Sequence, residues 1–131
     1  MSVSSVVYAD IENNIGYQCT GRTPVRPRNN SQALGDWPQP SRSAALWTAF
    51  VPPPALPHVL NPSEGFVISA NNAVAPPEYP VTIVNDRDWA VGYRAQRIRS
   101  ELTRAAAEDL QLTAADMQRL QLDQVSLVWQ A

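Results

Sequence analysis

Apolar and polar positions alternate with a period of two near the start of the chain and recur every three or four residues near its end. A proline-rich middle separates the two regions. In VVYADIENNIGYQCT, residues 6–20, Val6, Tyr8 and Asp10 alternate with Val7, Ala9 and Ile11, the side-to-side pattern of a strand. Asn13-Asn14 then supply residues that tolerate positive φ, so the stretch predicts a hairpin. A second apolar run, Phe66-Val67-Ile68, leaves Gly65 and ends on the adjacent amides Asn71 and Asn72, and predicts a strand over 65–72. From residue 92 to 131 the pattern is helical: Ile98, Leu102, Ala105, Ala106 and Leu110 share one face. Thr113 then stands at an N-cap position with Asp116 three residues on, a capping-box-like pair that restarts a helix. Met117, Leu120, Val125 and Leu127 supply its apolar surface, and the two helices are read as an antiparallel core pair.

Residues 21–64 follow no such period. All twelve prolines of the chain lie between Pro24 and Pro80, most of them here. That density forbids long helices and central strands. Trp37, Trp47 and Phe50 argue that the segment packs on another surface, where a disordered linker would carry few aromatics. The run VPPPALP also imitates a polyproline ligand for an adaptor-type partner, but Trp47, Phe50 and Val51 beside it look like core anchors. One hairpin, a third strand and a helix pair leave sheet edges open, so the 131 residues are read as a single fragment of something larger.

Composition narrows the chemistry. Hydrophobic residues make up 44%, enough for a core, and the formal charge of −2 argues against a nucleic-acid or membrane-surface partner drawn by net charge. All ten basic residues are arginine. Cys19 and His58 are the only cysteine and histidine; they allow no internal disulfide and no zinc cluster, and a Cys/His nucleophile pair would rest on composition alone. No run of 18 apolar residues occurs, and the opening MSVSSVVYAD has no basic region followed by a long apolar one, so neither a membrane span nor a signal peptide is expected.

The blocks NIGYQCTGRTPVR, LPHVLNPSEGFVISANN, YP, GYRAQRIRSEL and LTAADMQRLQLDQVSL, in that order over about residues 6–128, resemble an internal piece of the large, nucleophile-bearing chain of the penicillin acylase family. The resemblance implies an α+β fold: part of an N-terminal-nucleophile hydrolase (αββα) sandwich, with antiparallel strands, the Pro-rich connecting segment and the C-terminal helix pair. It implies an amide hydrolase made as a self-cleaving precursor, acting on the acyl side chain of β-lactams or on N-acyl compounds such as acyl-homoserine lactones. The nucleophile of such an enzyme is a terminal serine whose own α-amino group, titrating near ~8, takes the hydroxyl proton. Attack on the amide carbonyl builds a negative oxygen that needs donors aimed at it.

Two site residues carry over. The first asparagine of the NN pair, Asn71, matches the family's oxyanion donor; read from the residues alone, Asn71 and Asn72 would form an Asx-type turn, and the resemblance leaves that role to Asn72. Arg94, in GYRAQRI, matches an arginine that holds the asparagine carbonyl and favours the neutral amine. A cation in the first turn of a helix runs against the dipole, which independently marks Arg94. Arg97, Arg99 and Arg104 are expected on a wet helix face or paired with Glu101, Glu108 and Asp109.

The family's nucleophile has no counterpart here. Ser2, exposed if Met1 is removed, imitates one only superficially because it leads directly into the first strand. The chain is therefore expected to be inactive alone and to partner the remainder of an acylase, its nucleophile-bearing part and small chain, with an N-acyl amide as substrate. The alternative is a non-catalytic structural or binding module that keeps part of the fold. No cofactor is expected in this segment; the family often holds a structural calcium, but Asp86 and Asp88 match no ligand and read better as surface charge. Family analogy implies a periplasmic or secreted location.

Overall fold

The computed structural model describes residues 4–25, 47–81 and 89–129. The hairpin forms as its alternation predicts: β1 (Ser4–Ala9) and β2 (Ile15–Thr20) run antiparallel, with Ser4 opposite Thr20 and Ala9 opposite Ile15. Asn13 takes φ +65° in the turn. Asp10 organises that turn, accepting the backbone N–H groups of Glu12 and Asn14 on one carboxylate oxygen and Asn14 Nδ2 on the other, each at 2.9 Å. These bonds, the Asn14 side chain first, hold the Asp10 carboxyl below its ordinary value.

β2 is the central strand. On its other edge β5 (His58–Leu60) pairs antiparallel, with Tyr17 opposite Val59. Tyr17 and Cys19, two apart and so on one face, are buried against Val51 and Leu56, and Val67, Val74 and Tyr79 pack around them. Gly16 opposes Tyr8 across the β1–β2 pair, and a Cβ built there would meet the Tyr8 ring at 2.3 Å. The glycine is the seat of that ring.

The prolines act as their density predicts. β3 (Pro24–Val25) and β4 (Ala49–Phe50) form a separate ladder of two residues each, and Pro53–Ala55 make one 3-10 turn. The anchors of VPPPALP are Val51 and Leu56, 5% and 1% exposed, with the three prolines between them at the surface. Trp47 and Phe50 are not the anchors the sequence suggests. They meet edge-on at 6.0 Å on the outside, at 51% and 37% exposure, and the Arg22 guanidinium lies over Phe50 at 3.9 Å. Trp37 falls outside the described residues.

Two expectations need correction. The strand expected over 65–72 is absent: residues 66–69 join no ladder among the described residues. The run instead inserts Val67 against the core by its side chain. The helices themselves appear where the pattern places them, α1 at Tyr93–Ala107 and α2 at Ala114–Gln121, but they do not make a sealed core pair. Ala105 is their one fully buried residue, while Leu110, Leu112, Met117, Leu122 and Val125 remain exposed. The capping box is formed: Asp116 N–H donates to Thr113 Oγ1 at 3.3 Å and Thr113 N–H to Asp116 Oδ2 at 2.7 Å. Neither helix is long and apolar enough to cross a membrane.

Candidate active site

Residues 69–72 and the start of α1 meet at one hollow. Asn71 takes φ +60°, a left-handed conformation that asparagine tolerates better than most residues. Four hydrogen bonds hold Asn71 and its neighbours in place. Its backbone carbonyl accepts the N–H of Ala90 at 2.8 Å, tying it to the residues before α1. Asn72 Oδ1 accepts the N–H of Ala70 at 3.0 Å and folds the chain back on itself. Arg94, the second residue of α1, donates through Nη2 to Ala70 O at 2.8 Å and to Asn71 Oδ1 at 2.5 Å.

The last contact fixes the amide. A guanidinium has donors and no acceptor, so the side-chain oxygen of Asn71 must face it. Nδ2 is therefore turned away from Arg94, and among the described residues it donates to no acceptor. The pair thus presents two N–H groups from a carboxamide whose flip is decided by its neighbour, the arrangement an anionic oxygen requires.

Asn71 and Arg94 both line a hollow of about 660 Å³, with Ser69 and Tyr93 beside them. A further part of its wall comes from the residues after α2, Asp123 to Leu127. Arg97 reaches that wall, donating through Nε and Nη2 to Asp123 Oδ2 at 3.0 and 2.7 Å and through Nη1 to Glu101 at 2.7 Å. The bond from Arg97 holds the Asp123 carboxyl below its ordinary value and raises the guanidinium's own pKa. Arg94, by contrast, bonds neutral oxygens and makes no ion pair among the described residues. Its charge is left over, close to the positive end of the α1 dipole and in a first turn without acidic residues.

The other candidates fall away from this site. Cys19 is buried in the sheet core, where burial pushes its thiol up, away from a reactive thiolate. His58 Nδ1 bonds the backbone carbonyl of Leu56 at 2.8 Å. Among the described residues no group of three His, Cys, Asp or Glu could hold a metal ion, and Ser2, Asp86 and Asp88 lie outside those residues. Arg104 pairs with Glu101 and Glu108 as expected; Arg99 pairs instead with Glu64, and Asp109 sits at φ +51° at the end of α1.

The penicillin amidase family model matches residues 1–131. The chain belongs to the penicillin amidase family. It is 33% identical over 104 residues to penicillin acylase 2 proenzyme of Pseudomonas sp. (strain SE83), covering 79% of this chain and 13% of that protein. It is 32% identical over 123 residues to the acyl-homoserine lactone acylase QuiP of Pseudomonas syringae pv. tomato, covering 93% of this chain and 14% of the relative. A thermostable penicillin G acylase from Alcaligenes faecalis shares the fold at a TM-score of 0.63 and 24% identity, over 88% of this chain and 19% of that one. The family resemblance in the sequence is thereby borne out, and so is the mixed α and β architecture with antiparallel sheets. This penicillin amidase segment spans less than a fifth of these relatives, which are acylases by name. Among the described residues, the apolar side chains left exposed after α1 and on α2 and the unpaired outer edges of β1 and β5 are consistent with that small share.

Asn71 and Arg94, 23 positions apart in sequence, are brought into contact. Asp123 and the carbonyl of Ala70 are site neighbours that sequence reasoning passed over. For Asp123 a signal existed: Arg97 follows Arg94 by three residues on one helix face, so a partner for it belongs near the same hollow.

Proposed function

We propose that this chain is the part of an N-acyl amide hydrolase that supplies one oxyanion donor, Asn71 Nδ2, and the guanidinium of Arg94 that orients it. The substrate class is the acyl side-chain amide of a β-lactam or an N-acyl-homoserine lactone, in keeping with the relatives' names. A serine from the remainder of the enzyme attacks the carbonyl, and its proton passes by way of its own α-amine to the departing nitrogen. The carbonyl oxygen gains a full charge only as that bond forms. A donor already in place then stabilises the transition state more than the bound substrate.

The observation that supports this reading most directly is the 2.5 Å contact from Arg94 Nη2 to Asn71 Oδ1. It sets the amide with its donors outward, which a turn-forming asparagine would not need. The left-handed φ of Asn71 is compatible with both roles. The test is Asn71→Ala in the intact enzyme carrying this segment. Loss of one oxyanion donor lowers kcat by about two to three orders of magnitude, or roughly 3–4 kcal/mol, with KM little changed. A loss below about tenfold returns Asn71 to a turn former.

A further inference from the structure

The hollow beside Asn71 has two walls, and α1 holds each with one arginine. Arg94 holds the Asn71 wall; one turn on, Arg97 holds the other through Asp123. Asp123 is doubly engaged. One oxygen takes two donors of the guanidinium, and the other takes the backbone N–H of Val125 at 2.7 Å. The residues that follow, Gln124, Ser126 and Leu127, line the hollow directly. Residues 122–126 have no helix or strand to fix them, so this pair supplies the constraint that regular structure would otherwise give.

We propose that Arg97 and Asp123 are positioning residues that hold residues 123–127 as the second wall of the substrate hollow, and so determine how tightly the group bound opposite Asn71 is held. This deepens the reading of the hollow as an amide hydrolase site and rests on it. On this wall the Asp123 carboxylate is matched by the Arg97 guanidinium, and the rest of the lining is uncharged: the side chains of Gln124, Val125, Ser126 and Leu127. It suits a neutral hydrogen-bonding group of the N-acyl substrate. Arg97 and Asp123 take no part in bond making, and their effect falls on binding.

The test is made in the intact enzyme, with hydrogen exchange and steady-state kinetics read together. Asp123→Ala speeds exchange over residues 122–129, leaves exchange over the β1–β2 hairpin unchanged, and raises KM about tenfold while kcat stays within about threefold. Asp123→Asn keeps one oxygen, enough for Arg97 or for Val125 but not for both, and gives changes in exchange and KM smaller than those of Asp123→Ala. If Asp123→Ala does not fold, Arg97→Lys serves in its place. It keeps the charge but loses the two-donor fork, and gives a smaller rise in KM with faster exchange over the same residues. Unchanged exchange over 122–129, a KM within about twofold of the parent, or a loss confined to kcat overturns the proposal. Failure of the Asn71 reading is separately visible, because Asn71→Ala then spares kcat whatever the exchange at 122–129 shows.

Discussion

The Arg94 guanidinium donates to Asn71 Oδ1 at 2.5 Å and to the neighbouring Ala70 carbonyl at 2.8 Å, both from Nη2. One nitrogen thereby ties the first turn of α1 to the backbone and the side chain of the 69–72 turn. The bond depends on the amide oxygen, and the proposed catalysis depends on the amide nitrogen, so the two can be separated. Asn71→Asp keeps an acceptor for Arg94 and tolerates the left-handed φ, but has no N–H to offer. Thermal stability is expected to stay level or rise slightly, while kcat falls about as far as in Asn71→Ala, two to three orders of magnitude. Melting curves and turnover measured on the same preparation decide it.

The close seat of Tyr8 on Gly16 predicts a coupled pair. A Cβ at position 16 would lie 2.3 Å from Tyr8 Cε1, so in Gly16→Ala the ring must swing off the sheet. The ring is partly exposed and can move, so the cost is expected to be modest, about 1 kcal/mol. In a Tyr8→Ala background the same Gly16→Ala substitution is expected to cost almost nothing. Denaturant titration of the four variants measures the coupling, and equal costs in both backgrounds would contradict the contact.

Thr23 is fully buried, and its Oγ1 finds no hydrogen-bond partner among the described residues. A buried hydroxyl without a partner carries a desolvation penalty. Thr23→Val is therefore expected to leave stability unchanged or raise it by about 1 kcal/mol. A clear loss in the melting temperature would show that the hydroxyl has a partner of its own.

Asp10, Asp116 and Asp123 all have carboxyls held below the ordinary aspartate value of 3.8, by Asn14, Thr113 and Arg97 respectively as the leading partners. A depressed folded-state pKa means that the unfolded chain takes up the proton first. The stability these groups add is full above the unfolded value and is lost as pH falls below about 4 through the folded values. Stability is thus expected to drop across that range, and the drop to shrink in Asp10→Asn, Asp116→Asn and Asp123→Asn. Thermal melts between about pH 6 and pH 2 measure it.

Local rules made much of this legible in advance. The 6–20 hairpin follows from alternation and an Asn turn, and α2 begins where Thr113 and Asp116 say it must, because both signals lie within a few residues of what they determine. The segment after Gly65 departs from its pattern for the opposite reason. Its composition suits a strand, but composition does not say whether an apolar run pairs along its backbone or packs by its side chains, and here Val67 lies against the core while 66–69 join no ladder among the described residues. The helix pair shows the same limit: its 3–4 spacing is real, but what covers Leu110, Leu112 and Met117 is not among the described residues. For the site, GYRAQRI and NN carried Arg94 and Asn71, whereas Asp123 looked like one surface acid among many until α1 placed Arg97 opposite it.

The claim that Arg94 acts through Asn71 is tested most directly by a double-mutant cycle on kcat in the intact enzyme. Arg94→Ala alone is expected to lower kcat by about ten- to a hundredfold, since the amide remains but is free to turn. In an Asn71→Ala background the same Arg94→Ala change is expected to cost less than about threefold, because no amide is left to orient. Losses that multiply, each as large in the double variant as alone, would mean that the guanidinium works independently of the asparagine.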